Sequence, residues 1–330
     1  MIRNNKNIEV PMKSEFEQEL LDSEIKSVCR LIEQNLASGS AACRQLIKYF
    51  RENRGKMIRP RLLLLSAGAC GKITKDHILA AAAFQIIHDA TLLHDDVIDE
   101  GLLRRNKATI NSLWGSKIAV LTGDMILSRA MKMCLSLNRQ AMAVIVDAMI
   151  KTCEGEIRQD FNMLYDNITE QEYLSIIRMK SAEMFSQCCY LGGLLSDADN
   201  EICRRLKSYG LSIGTAYQIS DDIADICGDD NQLGKSSGRD FETRIMTLPL
   251  IHLSSQGYDY ITLKTMSRND VIELLNEKGS FSHCREYIRK YCSQAIERLT
   301  CLPESKYKSA LEEAARLILS KSVVGLPQSP

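Results

Sequence analysis

The chain has 330 residues, and its 42 lysines and arginines balance its 42 aspartates and glutamates. This balance gives no overall attraction to nucleic acid or to an anionic membrane surface, so neither partner is expected. The apolar runs Leu62–Leu65 and Ile78–Phe84 are far shorter than the ~20 residues of a membrane helix, so no transmembrane segment is expected. Because residues 1–18 lack the apolar core of a signal peptide, we expect a cytoplasmic location.

Proline placement predicts helices through most of the chain. No proline occurs between Pro60 and Pro249, and the segments Ile118–Leu135 and Ala141–Gly155 repeat apolar residues at three- and four-residue spacing. The twelve cysteines show no CxxC or metal-binding spacing, which indicates reduced, packed thiols. We predict an all-α, single-domain bundle over residues 1–330, with ten or more helices. Breaks are predicted at Gly68–Lys75, Gly101–Ala108, Ser196–Asn200 and Gly228–Arg239.

The first candidate functional segments along the chain are a basic stretch and, after it, a helix end rich in aspartate. The stretch GKMIRPR places Lys56 and Arg59 close together, and the later helix ends in LLHDDVID. Asp95 and Asp99 of that helix are four residues apart and therefore share a face. Carboxylates at this spacing repel each other. A hard divalent cation such as Mg²⁺, which takes oxygen ligands, compensates that repulsion.

Basic and polar residues flank this first acidic motif. Arg104 and Arg105 follow it, and a guanidinium is a natural donor to phosphate oxygens. His88 precedes Asp95 by two helical turns on the same face, so it should point into the same cavity. The alternative is that His88, as a lone histidine on an apolar helix, is a core residue.

A second motif of the same kind occurs late in the chain. QISDDIAD carries Asp221 and Asp225, and the loop that follows, GKSSGRD, supplies Lys235. Either motif alone could be a solvated helix end, and each basic residue could be ordinary surface. Two such motifs, each after apolar residues and before a basic, glycine-containing loop, favour paired sites where metal bridges two polyanions.

The ordered motif set resembles that of the trans-isoprenyl (polyprenyl) diphosphate synthases, most of all the long-chain octaprenyl, heptaprenyl and decaprenyl enzymes. The motifs run from about residue 55 to residue 250, and they are GKxxRP, LLHDDVID with RR, GEIRQ, MKSA, QISDDIAD, and GKSSGRDF with TLP. The resemblance implies a central pocket between two aspartate-bearing helices. It implies a cluster of three Mg²⁺ ions whose ligands are Asp95, Asp99 and Asp221, with Asp225 assisting.

The resemblance also implies where two substrates bind. The allylic diphosphate would contact the metal cluster and four side chains, Arg104, Lys180, Gln218 and Lys235. Isopentenyl diphosphate would contact four others, Lys56, Arg59, His88 and Arg105. In the condensation, negative charge develops on the departing diphosphate. The metal ions and the Arg and Lys side chains would stabilise that charge. The departing diphosphate would take the proton, while the backbone carbonyl and hydroxyl near Lys180 and Ser181 stabilise the allylic cation.

Some positions depart from the family pattern. Arg54 and Met57 stand where glycine and arginine are usual, and Ser181 replaces a threonine while keeping the hydroxyl. A lysine usually lies shortly before TLP, and here Arg244 is the candidate substitute, one position earlier.

Three alternatives remain open at this point. A class I terpene cyclase also uses an aspartate-rich helix, but its second metal motif resembles NSE or DTE and it does not need GKxxRP. A non-catalytic partner of a heteromeric synthase usually loses the aspartates, which are intact here. A short-chain farnesyl or geranylgeranyl diphosphate synthase is the third. By analogy with the family, a homodimer is expected.

Product length is predicted from the helix that carries the first motif. The growing chain should descend past Ala90, Ile87 and Ala83, which form one stripe before Asp95. Short-chain enzymes of the family commonly carry a large aromatic at the position of Ala90 or Thr91. The helix rises ~10 Å from Ala90 to Ala83, which leaves room for about two more isoprene units. We therefore predict a product of about thirty to fifty carbons, suited to a quinone side chain. Candidate floors are Phe84 and residues near Met125–Met131.

Overall fold

The computed structural model describes residues 20–37, 39–51, 55–162, 168–227, 245–259, 262–263 and 265–321. In the first half the helices are α1 (Asp22–Leu36), α2 (Ala41–Arg51), α3 (Ile58–Cys70), α4 (Lys75–Ile98), α5 (Ile110–Trp114), α6 (Ser116–Cys134) and α7 (Arg139–Asn162). In the second half they are α8 (Glu170–Ile177), α9 (Glu183–Leu194), α10 (Asn200–Cys227), α11 (Leu248–Ser255), α12 (Arg268–Glu277), α13 (Ser280–Arg298) and α14 (Lys306–Lys321).

The remaining regular elements are short. A π-helical turn, Arg178–Ala182, joins α8 to α9 without a break, and a 3₁₀ turn, Leu299–Cys301, follows α13. The strands β1 (Leu103–Arg104) and β2 (Lys107–Ala108) form a two-residue antiparallel hairpin after α4. The predicted all-α class is confirmed. Three of the four predicted breaks also appear, at the ends of α3, α4 and α9, while the fourth, Gly228–Arg239, lies outside the described residues.

Helix α4 occupies the centre of the described structure. It packs against α1, α3, α6 and α9, while α10 packs against α9, α13 and the π-helical turn. The run Ala80–Ala83 of α4 is completely buried. Its small side chains let the neighbouring helices approach α4 closely. Gly123 of α6 has the same role, since a Cβ at this position would lie 2.4 Å from Nε2 of His94. One hydrophobic cluster extends from α1 to α14, and the prediction of a single domain stays a prediction.

Two negative findings concern only the described ranges. No helix there is long and apolar enough to cross a bilayer. No disulfide is present there either, since all twelve cysteines are free thiols and the adjacent Cys188 and Cys189 are fully buried.

His77, in the first turn of α4, predicts a pH-dependent stability. The side chain is fully buried, its Nδ1 accepts from the Thr74 amide at 3.0 Å, and its Nε2 lies 3.2 Å from the Gly192 carbonyl oxygen. Burial lowers the pKa of His77 below 6.5, although the Gly192 carbonyl and Asp76 oppose the shift. The folded state therefore binds fewer protons than the unfolded state below that pH, so the free energy of unfolding falls as the pH drops from 7.5 to 5.5.

The size of this loss is limited to ~1.4 kcal/mol per pH unit for one group. His77→Gln keeps an acceptor for Thr74 and a donor for Gly192 but does not titrate. Urea unfolding of both proteins at pH 7.5 and 5.5 should show a smaller loss in the variant. Equal losses would contradict the assignment of a neutral, buried His77.

Candidate active site

The first aspartate motif closes α4. Asp95 is half-buried and Asp99 is exposed, one turn apart on the same face. Asp96 is directed elsewhere, because its Oδ1 accepts from Nε and Nη2 of Arg104, both at 2.8 Å. Asn111 fixes the helix end by donating to the backbone carbonyls of Asp96 and Gly101. Arg104 was predicted to hold a diphosphate, and the structure holds it against Asp96.

A tight hairpin presents the two arginines that follow the motif. Its turn residues Arg105 and Asn106 have φ values of 51° and 60°, a left-handed conformation that asparagine tolerates better than most residues. Tyr49 of α2 ties the hairpin down by donating its hydroxyl to the Ala108 carbonyl at 2.6 Å. A Cβ at Gly55 would lie 2.7 Å from Nη2 of Arg105, so Gly55 is what allows this guanidinium to pack against the GKxxRP segment.

His88 lies among the predicted phosphate-binding arginines. Burial lowers its pKa well below 6.5, and the nearby charges of Arg59, Arg104 and Arg105 lower it further. The imidazole is therefore neutral in this structure. Three of the four residues predicted for isopentenyl diphosphate, Arg59, His88 and Arg105, come together here, and Lys56 is half-buried three residues before Arg59.

Arg59 links this basic group to the rest of the site. Its guanidinium carbon lies 4.9 Å from the centroid of the Phe185 ring on α9. Burial lowers its pKa, while Cys188, Tyr217, Asp89 and Asp95 act in the opposite direction. Residues of α3, α4, α9 and α10 thus meet around one guanidinium.

Lys180 and Glu156 form an ion pair near Asp95. Nζ of Lys180 donates to Oε1 of Glu156 at 2.8 Å. Burial alone would lower the pKa of Lys180, but Glu156, Asp95 and Asp99 outweigh it and raise that pKa. The sequence motif GEIRQ contains Glu156, but sequence reasoning gave it no role.

The π-helical turn carries Lys180 and the half-buried Ser181. Such turns are rare and occur frequently at functional sites, because they leave the regular helical hydrogen-bond pattern. Helix α7 approaches this turn very closely at Gly155, where a Cβ would lie 2.4 Å from the backbone nitrogen of Lys180.

We expect Gly155→Ala to lower turnover by about tenfold to a hundredfold, because the new methyl group must displace the backbone of Lys180, whose charge acts on Asp95. The thermal midpoint should fall as well. Steady-state turnover and circular dichroism measure the two effects. Gly71→Ala is the matched control, since a Cβ there meets nothing within 4 Å. Unchanged turnover in Gly155→Ala would show that this close approach is unimportant for activity.

The second aspartate motif closes α10 with three differently placed carboxylates. Asp221 is exposed, and Asp225 is only 2% exposed. Asp222 accepts from the Tyr173 hydroxyl at 2.5 Å and from Nε2 of Gln218 at 2.7 Å. Gln218 was predicted to contact a diphosphate, and in this structure its amide nitrogen contacts Asp222.

The end of α10 is also held from α12. Arg268 donates to the backbone carbonyls of Asp225 and Ile226, at 3.0 Å each. The predicted contacts of Lys235 and Arg244 fall outside the described residues, as does the predicted loop Gly228–Arg239.

The charges around Asp95 suit a divalent cation. Burial, with contributions from Glu156 and Asp99, raises the pKa of Asp95 to about 7, although Lys180 and Arg104 oppose the shift. Burial is the largest of these causes, so the charged carboxylate is poorly solvated here and a bound cation would stabilise it. Within the described part of the chain, no three His, Cys, Asp or Glu side chains converge on one ion position. A hard ion held by one or two carboxylates, with substrate oxygens and water completing its shell, fits this donor set.

The residues predicted to control chain length lie in the interior of the bundle. Ala90 and Ile87 are 1% exposed, and Ala83 and the proposed floor residue Phe84 are completely buried. Thr91 is half-buried and donates its hydroxyl to the His88 carbonyl.

Comparison with known proteins gives a consistent family. The Polyprenyl synthetase family model matches residues 40–277. The octaprenyl diphosphate synthase of Escherichia coli (strain K12) is 34% identical over 94% of this chain and 99% of that protein. The heptaprenyl diphosphate synthase component 2 of Bacillus subtilis (strain 168) is 30% identical over 95% of this chain and 93% of its own length.

A solved structure agrees with these sequence matches. The polyprenyl synthase of Caulobacter crescentus CB15, complexed with calcium and isoprenyl diphosphate, superposes with a TM-score of 0.88 at 29% identity. The superposition covers 96% of this chain and 99% of the other. These matches confirm the resemblance seen in the sequence motifs, and the chain belongs to the polyprenyl synthetase family.

Proposed function

We propose that this protein is a trans-polyprenyl diphosphate synthase, which condenses isopentenyl diphosphate with an allylic diphosphate and makes a long-chain, all-trans product. The observation that carries the proposal is the arrangement around Asp95. A half-buried acidic group, Asp95 with Glu156, lies near the arginines that surround His88. One side suits a metal-bound diphosphate and the other a diphosphate held by guanidinium groups.

The chemistry follows from where charge develops. Carbon–oxygen cleavage leaves negative charge on the departing diphosphate, and Mg²⁺ bound at the aspartates would neutralise it as a Lewis acid. Lys180 and Arg104 both lie close enough to Asp95 to lower its pKa, against the larger effect of burial. They would orient that diphosphate and add positive charge at fixed positions.

The second substrate would bind at the arginine group. Arg59 and Arg105 would hold its diphosphate, and neutral His88 would donate or accept a hydrogen bond without adding charge. The double bond of isopentenyl diphosphate attacks the allylic carbon as the bond from that carbon to the diphosphate oxygen breaks. The condensed product then loses a proton to the departed diphosphate. Ser181 and the carbonyls of the π-helical turn would face the positive carbon.

Radiolabelled isopentenyl diphosphate and a series of allylic primers test this function on the purified chain alone. We expect Mg²⁺-dependent incorporation of label, abolished by EDTA and restored by added Mg²⁺. No incorporation with any primer would contradict a self-sufficient synthase. Activity that appears only with a second, different chain would instead make this protein a component of a heteromeric enzyme, as the name of the Bacillus relative suggests for that protein.

We also propose that the protein is a homodimer. In the described part of the chain, the ten exposed large hydrophobic residues all lie between residues 98 and 161. Ile150, Ile157 and Phe161 form one exposed stripe along α7, and exposed apolar surface of this kind commonly marks a protein interface. Sedimentation of wild type and Ile157→Asp tests it, with a dimer expected for the first and monomer for the second. A monomeric wild type would contradict the proposal.

A further inference from the structure

The middle aspartate of the second motif is already fully engaged by the protein. Asp222 is only 5% exposed. Its Oδ2 accepts from the Tyr173 hydroxyl at 2.5 Å, and its Oδ1 accepts from Nε2 of Gln218 at 2.7 Å. A carboxylate held through both oxygens cannot rotate toward a metal without breaking these bonds.

Tyr173 makes its bond from a firmly anchored helix. The side chain is 4% exposed, and α8 begins with a capping box between Thr169 and Glu172. Glu170, in the same first turn, accepts from the Tyr287 hydroxyl at 2.9 Å, and its other oxygen lies 2.7 Å from Nε2 of His283. Helix α8 is therefore held to α13 three residues before Tyr173, so the hydroxyl has a fixed position.

The same continuous helix also carries Lys180, seven residues after Tyr173. Two turns thus separate the bond to the second motif from the ion pair that flanks the first motif. A shift of α8 would move both together, so Tyr173 sets the second motif relative to Lys180 and Glu156.

In each motif a side chain holds the middle aspartate in place, but the chemical nature of that side chain differs. In the first, the middle aspartate pairs with a charged group, Arg104. In the second, the partners of Asp222 are a phenol and an amide, which satisfy the carboxylate without adding positive charge. A neutral anchor leaves the negative potential at Asp221 undiminished, which favours a cation there.

We propose that Tyr173 is a positioning residue of the second motif: its hydroxyl holds Asp222 and so fixes the last turns of α10, with Asp221 presented to a metal-bound diphosphate. This rests on the proposed function for the identity of that ligand. Without the hydroxyl, only the bond from Gln218 restrains Asp222, which can then turn outward and compete with Asp221 for the cation in a different geometry.

Tyr173→Phe removes only the hydroxyl, and metal binding gives a readout that does not depend on turnover. We expect Mg²⁺, titrated calorimetrically in the presence of inorganic pyrophosphate, to bind ~10-fold or more weakly to the variant, the scale typical when a group that orients a metal ligand is lost. Tyr209→Phe is the matched control. Its hydroxyl is also buried and donates to a backbone carbonyl, that of Leu311, at 2.7 Å, so that variant should lose stability but bind Mg²⁺ normally.

A double-mutant cycle with Asp222→Asn tests whether Tyr173 acts through Asp222. The effects of Tyr173→Phe and Asp222→Asn on Mg²⁺ affinity should be clearly less than additive, because both break the same contact. Full additivity, or wild-type Mg²⁺ affinity in Tyr173→Phe, would overturn the proposal. Wild type that binds Mg²⁺ and pyrophosphate but condenses nothing would contradict the proposed function alone, whereas wild type without Mg²⁺ affinity would overturn both.

Discussion

Asp95→Ala and Asp221→Ala are each expected to lower turnover by about a hundredfold to a thousandfold, the scale typical of losing one fixed electrostatic contact in a transition state. Both residues lie at helix ends, and both are proposed to bind the Mg²⁺ that would neutralise the departing diphosphate. For Asp95 the folded state should not suffer, because burial and Glu156 already disfavour its charged form, with a pKa of about 7. Steady-state turnover at saturating Mg²⁺ and thermal unfolding measure the two effects.

Asp76→Ala is the matched control for Asp95. Asp76 is exposed in the first turn of the same helix, at the end away from the motif. This change should cost a small part of the stability, through the helix dipole, and leave turnover unchanged. Near wild-type turnover in either motif variant would show that the carboxylate is not a metal ligand of the reaction.

Ala90→Phe is expected to shorten the product from about thirty to fifty carbons to about fifteen or twenty, because the ring would block the path of the growing chain one turn below the first motif. Ala90 is 1% exposed, and Ile87 and Ala83 continue its stripe into the interior. Chromatography of dephosphorylated products measures the change. Ala90→Val and Ala90→Leu should give intermediate lengths, since the side chain fills the path by degrees.

Leu92→Phe is the control for added bulk on the same helix. Leu92 lies two residues further along, ~200° around the axis from Ala90, and is only half-buried. It should leave product length unchanged. A product distribution in Ala90→Phe that matches wild type, in a protein that still folds, would show that the chain does not grow along this stripe.

The helices and the two aspartate motifs were predictable because they depend on local sequence. Periodic apolar residues and the absence of proline between Pro60 and Pro249 indicate helices directly. Spacing within one helix also placed His88 on the face of Asp95, and His88 indeed lies among the arginines of the site.

The contacts that connect these helices could not be predicted, because they join residues far apart in the chain. Glu156 pairs with Lys180, and Tyr173 reaches Asp222 across 49 positions. Nothing local to Tyr173 marks it, since its helix is short and has an ordinary capping box. A different signal was available for Glu156, which stood in a motif shared with the family, although the motif alone did not show what the carboxylate contacts.

The hydrogen-bond partners of Arg104 and Gln218 also differ from those that the motifs predict. Both were predicted to contact diphosphate, and both contact the middle aspartates, Asp96 and Asp222. Sequence spacing gives which residues share a face, but it does not say which partner a polar side chain takes when two are within reach. Their roles toward substrate stay predictions.

Product length measured on the wild-type enzyme tests the account most directly. Purified protein would be incubated with Mg²⁺, radiolabelled isopentenyl diphosphate and farnesyl diphosphate, and the dephosphorylated products separated by reversed-phase chromatography. The account predicts a Mg²⁺-dependent series that ends at about thirty to fifty carbons, as the stripe from Ala90 to Ala83 allows. A series that ends at about twenty carbons, or no elongation of the farnesyl primer at all, would contradict it.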